Sequence, residues 1–320
     1  MEMEDLDCPR YNFRTKTPIS FELIAQIDAL YDGGLTKWKT RYRPLVIRQR
    51  KNIEFFHIAA TQLFETARHG LGDALNILEE VIRCTSANQC HQILCPACRD
   101  LVQKRAADKA LTAFSNYTDK DIKFMTLLIR VKHDANELPP LMSAFRNDFV
   151  QRLRNNAKAL GTQALPFKMM GAFEIDLKNM ATQWDASLCS RELVKQLGYD
   201  RKIFKPQYLL HLHAIVGPLN DERMEVLSGL IEKSLGMPLL SHQLDLRSLH
   251  KKTPKDDNLR NLAFYMFKAR LQFADNIFDD NHMQKQTRYH TPYKGKVLVD
   301  YLNVVNDMQN FKGLKFDFGA

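Results

Sequence analysis

The segment KPQYLLHLHAIVGP, residues 205–218, interrupts an apolar run with two histidines one residue apart. Side chains alternate along a strand. His211, His213 and Ile215 therefore share one face, while Leu210, Leu212, Ala214 and Val216 share the other. One face reads as core, and the other carries two imidazoles at metal-ligand spacing. With ten histidines in 320 residues, chance alone supplies about 0.3 such pairs per chain. Spacing by itself thus favours a plainer reading, two histidines on a half-exposed strand, and only the rest of the sequence can shift that balance.

Outward from this strand, the periodicity alternates between two kinds. KFMTLLIRV at 123–131 and GAFEIDL at 171–177 read as strands, and LLSHQLDLR at 239–247 reads as another. Between them lies a helix opened by Pro139 and Pro140, with Met142, Phe145, Phe149 and Leu153 at helical spacing. Asn220 or Asp221 is placed to cap a helix carrying Met224, Leu227, Ile231 and Leu235. A last helix is expected over about 256–275, and residues 178–204 read as a polar insertion between two strands. Upstream, residues 21–83 read as helical, and RDLVQKRAADKALTAF at 99–114 reads as a further helix. Strands separated by helices predict an α+β fold, with helices packed on a sheet. The expected organisation is a helical region at 1–83, a Cys-rich segment and helix at 84–117, a catalytic-type domain at 118–275 and a basic, helical extension at 276–320.

The chain carries a formal charge of +9, with a pI near 9.2. That balance points to an anionic partner, nucleic acid first and a membrane surface second. The acidic start, MEMEDLDCPRYNF, lacks the apolar stretch of a signal peptide, and no run approaches eighteen apolar residues. A reducing, cytoplasmic setting without a membrane span is the expectation. The cations are clumped: KWKTRYRPLVIRQRK, residues 37–51, holds seven cations and no acid. Lys37, Lys39, Arg41, Arg43, Arg48 and Arg50 suit phosphate contacts, and Trp38 suits stacking on an unpaired base. KQTRYHTPYKGK at 285–296 is a second basic run. A solvated basic face is the competing reading of either run.

Four of the six cysteines, Cys84, Cys90, Cys95 and Cys98, fall within fifteen residues. Cys95 and Cys98 form a CxxC pair, a spacing that lets two thiolates grip one tetrahedral ion, and Pro96 stiffens the turn. Cys84 and Cys90 can complete the shell, with His91 as a competitor. Disulfides are disfavoured in a reducing compartment, and a redox CxxC needs a thioredoxin-like βαβ context that this sequence lacks. A structural Zn²⁺ is the expectation.

The predicted last helix contains NLRNLAFYMFKARLQF, residues 258–273. Leu259, Leu262, Met266, Ala269 and Phe273 form its apolar stripe. Tyr265 falls instead with Asn258, Asn261, Lys268 and Gln272 on a polar stripe, so Tyr265 and Lys268 emerge side by side. A phenol beside a fixed cation suits attack on phosphorus. An ordinary exposed tyrosine is the reading to be displaced.

Together these pieces resemble the HUH endonucleases. HLHAIV at 211–216 resembles their His-hydrophobic-His motif, YMFK at 265–268 their Tyr-x-x-Lys motif, and FMTLLI at 124–129 their first-motif strand. CHQILCPAC resembles the cysteine-rich segment of plasmid rolling-circle replication initiators, and the likeness covers roughly residues 80–275. The resemblance implies an antiparallel sheet core with packed helices. It implies that His211 and His213 hold Mg²⁺ or Mn²⁺, with a carboxylate on a neighbouring strand as third ligand. Glu174 fits that role best, and Asp176 lies on the same strand face. Two histidines by themselves suit a softer ion, so the oxygen ligand and the availability of the ion decide for Mg²⁺ or Mn²⁺. Tyr265 would be the nucleophile and Lys268 its charge partner. The products would be a 5′-phosphotyrosine and a 3′-hydroxyl that primes synthesis. The implied partners are origin DNA, single-stranded or as a hairpin nick site, and a host helicase and polymerase. A single-tyrosine transposase or relaxase shares this chemistry, and flanking DNA separates the two. A zinc-containing DNA-binding regulator that cuts nothing is the alternative of another class.

Overall fold

Three strands of ten or eleven residues, apolar runs broken by single polar side chains, form the middle of the sheet here. In the computed structural model the described residues are 80, 89–92, 95–159, 165–178, 188–203, 205–268, 272–278, 284–293, 295–308 and 311–319. The elements run α1 (Pro96–Phe114), β1 (Lys123–Lys132), α2 (Leu138–Ala159), β2 (Lys168–Lys178), α3 (Leu188–Gln196), β3 (Gln207–Gly217), α4 (Asp221–Leu235) and β4 (Leu244–Ser248). They continue α5 (Lys255–Met266), β5 (Gln272–Phe278), β6 (Gln284–Pro292), α6 (Gly295–Asp307), α7 (Phe311–Leu314) and β7 (Lys315–Phe318). The chain is thus α+β. It divides into two units, one of residues 1–101 with 292–306 and the other of 102–291 with 307–320. The expected helices of 21–83, the basic run 37–51 and Cys84 lie outside the described residues. No helix among the described residues is long and apolar enough to cross a membrane.

In the second unit, β4, β1, β3, β2 and β7 form one five-stranded sheet in that order, with every neighbouring pair antiparallel. Residues directly opposite one another point to the same face. Phe173 on β2 and Phe316 and Phe318 on β7 therefore project to one side, where α2 lays Phe145 and Phe149 over them. Ring centroids there lie 5.4 to 6.3 Å apart. Met142, Phe145, Phe149 and Leu153 are all buried, as their spacing predicts. The opposite side is covered by α5, which buries Leu259, Ala263 and Met266 and packs over β2 and β3. The Gln103 side chain on α1 donates to the Phe264 carbonyl at 2.8 Å and ties α5 down. Where β2 passes β3, a Cβ on Gly171 would sit 2.5 Å from the His213 carbonyl oxygen. Only glycine permits that approach.

Cover on both sides changes the reading of the histidine strand. All eleven residues of β3 are buried, so the face expected to be half-exposed is closed. The helix that closes it is shorter than the predicted 256–275: α5 ends at Met266, and Gln272–Phe278 is a strand. No glycine or proline marks that end, and the chain turns at Phe267, where the Lys268 amide donates to the Tyr265 carbonyl at 3.2 Å. β4 is also shorter than the predicted strand. Leu239 and Leu240 lie in a turn held by Glu232 and by the fully buried Gln243 side chain, which also donates to the Leu128 carbonyl. Of the two candidate caps, Asn220 caps α4, its side chain accepting from the Arg223 amide at 2.9 Å, and Asp221 is the first helical residue. The core stripe of α4 is Leu227, Leu230 and Ile231, whereas Met224 and Leu235 are half-buried. The C-terminal residues expected as an extension add β7 to the sheet edge beside β2. In the second basic run, Tyr293 is 1% exposed and packs on Tyr301, which removes it from any base-stacking role.

Candidate functional site

Register gathers the site. Glu174 on β2 lies directly opposite His211 on β3, and Thr126 on β1 lies directly opposite His213. All four side chains therefore leave the same face of the sheet, under α5. The Glu174 Oε2 atom is 2.8 Å from His213 Nε2, 3.6 Å from His211 Nε2 and 3.2 Å from Lys268 Nζ. Thr126 Oγ1 is 3.0 Å from His213 Nδ1. An ionised carboxylate only accepts, so Glu174 fixes His213 Nε2 as the donor and leaves Nδ1 to accept from the Thr126 hydroxyl. The two imidazole centroids are 4.8 Å apart. Asp176, the other acid on β2, lies opposite Leu209 and pairs with Lys178 at 3.0 Å. Of the two acids, Glu174 is the one brought to the histidines.

The electrostatics follow from burial and from these neighbours. Burial pushes the Glu174 carboxyl upward. His211, the His213 hydrogen bond and Lys268 outweigh it and hold the carboxyl well below the usual carboxylate range. Burial drives His211 down to about 3, against the pull of Glu174, so its imidazole is neutral at physiological pH. Its Nε2 is buried and makes no hydrogen bond among the described residues. A neutral imidazole whose Nε2 makes no hydrogen bond among the described residues, a second imidazole and a carboxylate, with donor atoms all within 4.8 Å of one another, form a set that suits a divalent ion.

Tyr265 completes the arrangement. Its ring centroid is 5.1 Å from that of His213 and 5.7 Å from that of Phe124, and the residue is 39% exposed. Lys268 Nζ lies 3.2 Å from the Tyr265 ring centroid, so the cation sits between the phenol ring and Glu174. The sequence places Tyr265 and Lys268 on one helical stripe. In the structure α5 ends at Met266 and Lys268 lies in the turn beyond it, yet the two side chains still meet. Asn258 leaves that stripe altogether: it is buried and bonds the backbone at His250 and Thr253. Tyr265, both histidines, Phe124 and Thr126 line one cleft of about 590 Å³.

The first unit holds the other donor cluster. Cys90, Cys95 and Cys98 place their sulfurs within 4.8 Å of one another, with Cys90 and Cys98 3.7 Å apart. Cys95 and Cys98 are buried, and Cys98 lies in the first turn of α1, where the amide dipoles favour a thiolate. The three thiols are compatible with metal binding. His91 is exposed, in left-handed backbone at φ 56°, and is not part of the cluster. Arg99 is 3% exposed; burial lowers it to about 10, against Cys95, Tyr301 and Asp100.

Thr126, Phe124 and Gln103 escaped the sequence reading. Thr126 carried a local signal, as the lone hydroxyl among apolar residues of FMTLLI, whereas nothing near Gln103 marks its bond to α5. The chain was compared with family models, curated proteins and solved structures, and none of the three comparisons found a match.

Proposed function

We propose that this protein is a metal-dependent DNA strand transferase of the HUH type, acting as a rolling-circle replication initiator. The observation that carries the reading is that Tyr265, His211 and His213 line one cleft, with Glu174 against both histidines and Lys268 between Glu174 and the Tyr265 ring. The central place of the histidine strand in a five-stranded antiparallel sheet also supports it. Glu174, His211 and His213 are the donors for Mg²⁺ or Mn²⁺, which when bound supplies Lewis-acid polarisation of a phosphate oxygen. With an ion at Nε2, His213 would carry its proton on Nδ1 and donate it to the Thr126 hydroxyl, the outer hydrogen bond that orients a liganding imidazole.

The Tyr265 phenol oxygen attacks phosphorus. The new O–P bond forms as the bond to the 3′ oxygen breaks, and the strand divides into a 5′-phosphotyrosine and a 3′-hydroxyl. The phenolic proton leaves to solvent through the open side of the cleft, and the departing oxygen takes one up. Lys268, against the ring face, stabilises the charge that develops on the phenol oxygen. The sulfurs of Cys90, Cys95 and Cys98 hold a structural Zn²⁺, with Cys84 as a further donor from the sequence. The basic run at 37–51 contributes phosphate contacts, and the protein acts in the cytoplasm.

The test uses labelled single-stranded origin oligonucleotides with Mn²⁺ or Mg²⁺ on a denaturing gel. Wild type gives a slow-migrating covalent adduct, and Tyr265→Phe gives none while still binding the strand. Nicking without an adduct would indicate a water-using nuclease, and no cleavage of any strand would favour the non-catalytic DNA-binding reading.

A further inference from the structure

The cleft that holds Tyr265 extends beyond the chemistry proposed above, toward the edge strand β4. At about 590 Å³ it has the volume of a small-molecule site, larger than a phosphate and a metal ion require. Its floor is aromatic. Phe124 lies parallel to His213, with an interplanar angle of 10° and centroids 5.7 Å apart. Phe124 is only half-buried, so part of its ring surface is open to the cleft. On β4, Arg247 lies directly opposite Phe124 and Asp245 directly opposite Thr126, so both share the site face. Asp245 accepts from Arg247 Nε at 2.6 Å, which orients a guanidinium whose side chain is 76% exposed. Its other two nitrogens make no hydrogen bond among the described residues and form a fork suited to paired acceptor oxygens or nitrogens. Across the cleft, α5 presents the exposed Asn261 amide, which also makes no hydrogen bond among the described residues.

We infer that this part of the cleft seats one unstacked nucleobase of a single strand, with Phe124 as its stacking face and Arg247 and Asn261 as its polar contacts. The inference rests on the strand-transferase reading only for the position of the scissile phosphate beside the seated nucleoside. A stacking surface accepts any base, whereas a guanidinium fork and a carboxamide discriminate among base edges. Arg247 therefore recognises either the O6/N7 edge of guanine or the phosphate that follows the seated base. Both offer paired acceptors.

The experiment needs binding and no cleavage. Oligothymidylate carrying 5-iodo-deoxyuridine is photocrosslinked to the full-length protein, and the crosslinked peptides are identified by mass spectrometry. The expected crosslink lies in the tryptic peptide FMTLLIR, residues 124–130, at Phe124. Phe124→Leu removes it and weakens strand binding about tenfold, the effect of losing one base–aromatic stack. Arg247→Ala then separates the two sources of acceptor. A loss confined to guanine-containing strands assigns the fork to a base edge. A uniform loss with a salt slope reduced by about one assigns it to phosphate. Both outcomes support the seat. Strand binding with crosslinks elsewhere and unchanged affinity in Phe124→Leu overturns it, as does the absence of any single-strand binding. A crosslink at Phe124 in a protein that never cleaves keeps the seat and removes the strand-transferase reading. Cleavage with no crosslink at Phe124 does the reverse.

Discussion

The two donor clusters of this chain are assembled in opposite ways. Cys90, Cys95 and Cys98 are neighbours in sequence, spread over a short segment and the first turn of α1. Glu174, His211 and His213 come from two long strands locked in register, with Thr126 on a third strand and Lys268 in the turn after α5. A cluster whose donors are close in sequence can couple ion binding to local structure. A cluster on the middle strands of a sheet is fixed by backbone pairing whether or not an ion is bound. The difference separates three thiols on a short segment, compatible with metal binding, from a site that the fold builds, and the second adjoins an open cleft with a phenol in it. The first suits structure and the second suits chemistry.

Substitutions that affect one cluster and spare the other sharpen the contrast. Cys95→Ser should have the largest effect: zinc content falls from about one per chain toward zero, and the segment around residue 95 becomes open to protease. Metal analysis with limited proteolysis reads both, and an unchanged zinc content would dissolve the distinction. His211→Ala with His213→Ala should lower Mn²⁺ affinity by more than about 100-fold, because two of three donors are gone, while zinc content and far-ultraviolet circular dichroism hold. Thr126→Val keeps the shape and removes the hydroxyl that orients His213, for a loss in Mn²⁺ affinity of about 10- to 100-fold. Titration calorimetry places each variant on this scale. Lys268→Met should have the smallest effect, and of opposite sign. Removing a cation 3.2 Å from Glu174 Oε2 relieves repulsion of an incoming ion, so Mn²⁺ binds about fivefold tighter even as strand cleavage slows. Weaker Mn²⁺ binding in Lys268→Met would show that the lysine helps to assemble the donors.

The sequence disclosed what is local and withheld what is not. The histidine strand, the CxxC pair, the core stripe of α2 and the Asn220 cap each follow from spacing within one element, and each stands in the structure. The burial of His211 and His213 did not follow, because it depends on α5 packing over their face from some fifty residues further along the chain. Ala269 and Phe273 continue the apolar period past Met266, so periodicity overran a helix that ends without glycine or proline. β7 is a four-residue KFDF alternation whose membership of the sheet is decided by Phe316 and Phe318 joining Phe145 and Phe149. In the sequence only the likeness to a family favours Glu174 over Asp176, and the register of β2 on β3 supplies the physical reason: Glu174 faces His211 and Asp176 faces Leu209.

The most direct test of the account is to find the atom that becomes bonded to DNA. Wild-type protein is incubated with a labelled single-stranded origin oligonucleotide and Mn²⁺, digested with nuclease and trypsin, and examined by mass spectrometry. The account predicts a nucleotide phosphate on the peptide NLAFYMFK, residues 261–268, at Tyr265. It also predicts a drop in adduct of at least about 1,000-fold in Tyr265→Phe. A phosphate on any other residue, or an adduct that persists at wild-type yield in Tyr265→Phe, would contradict it.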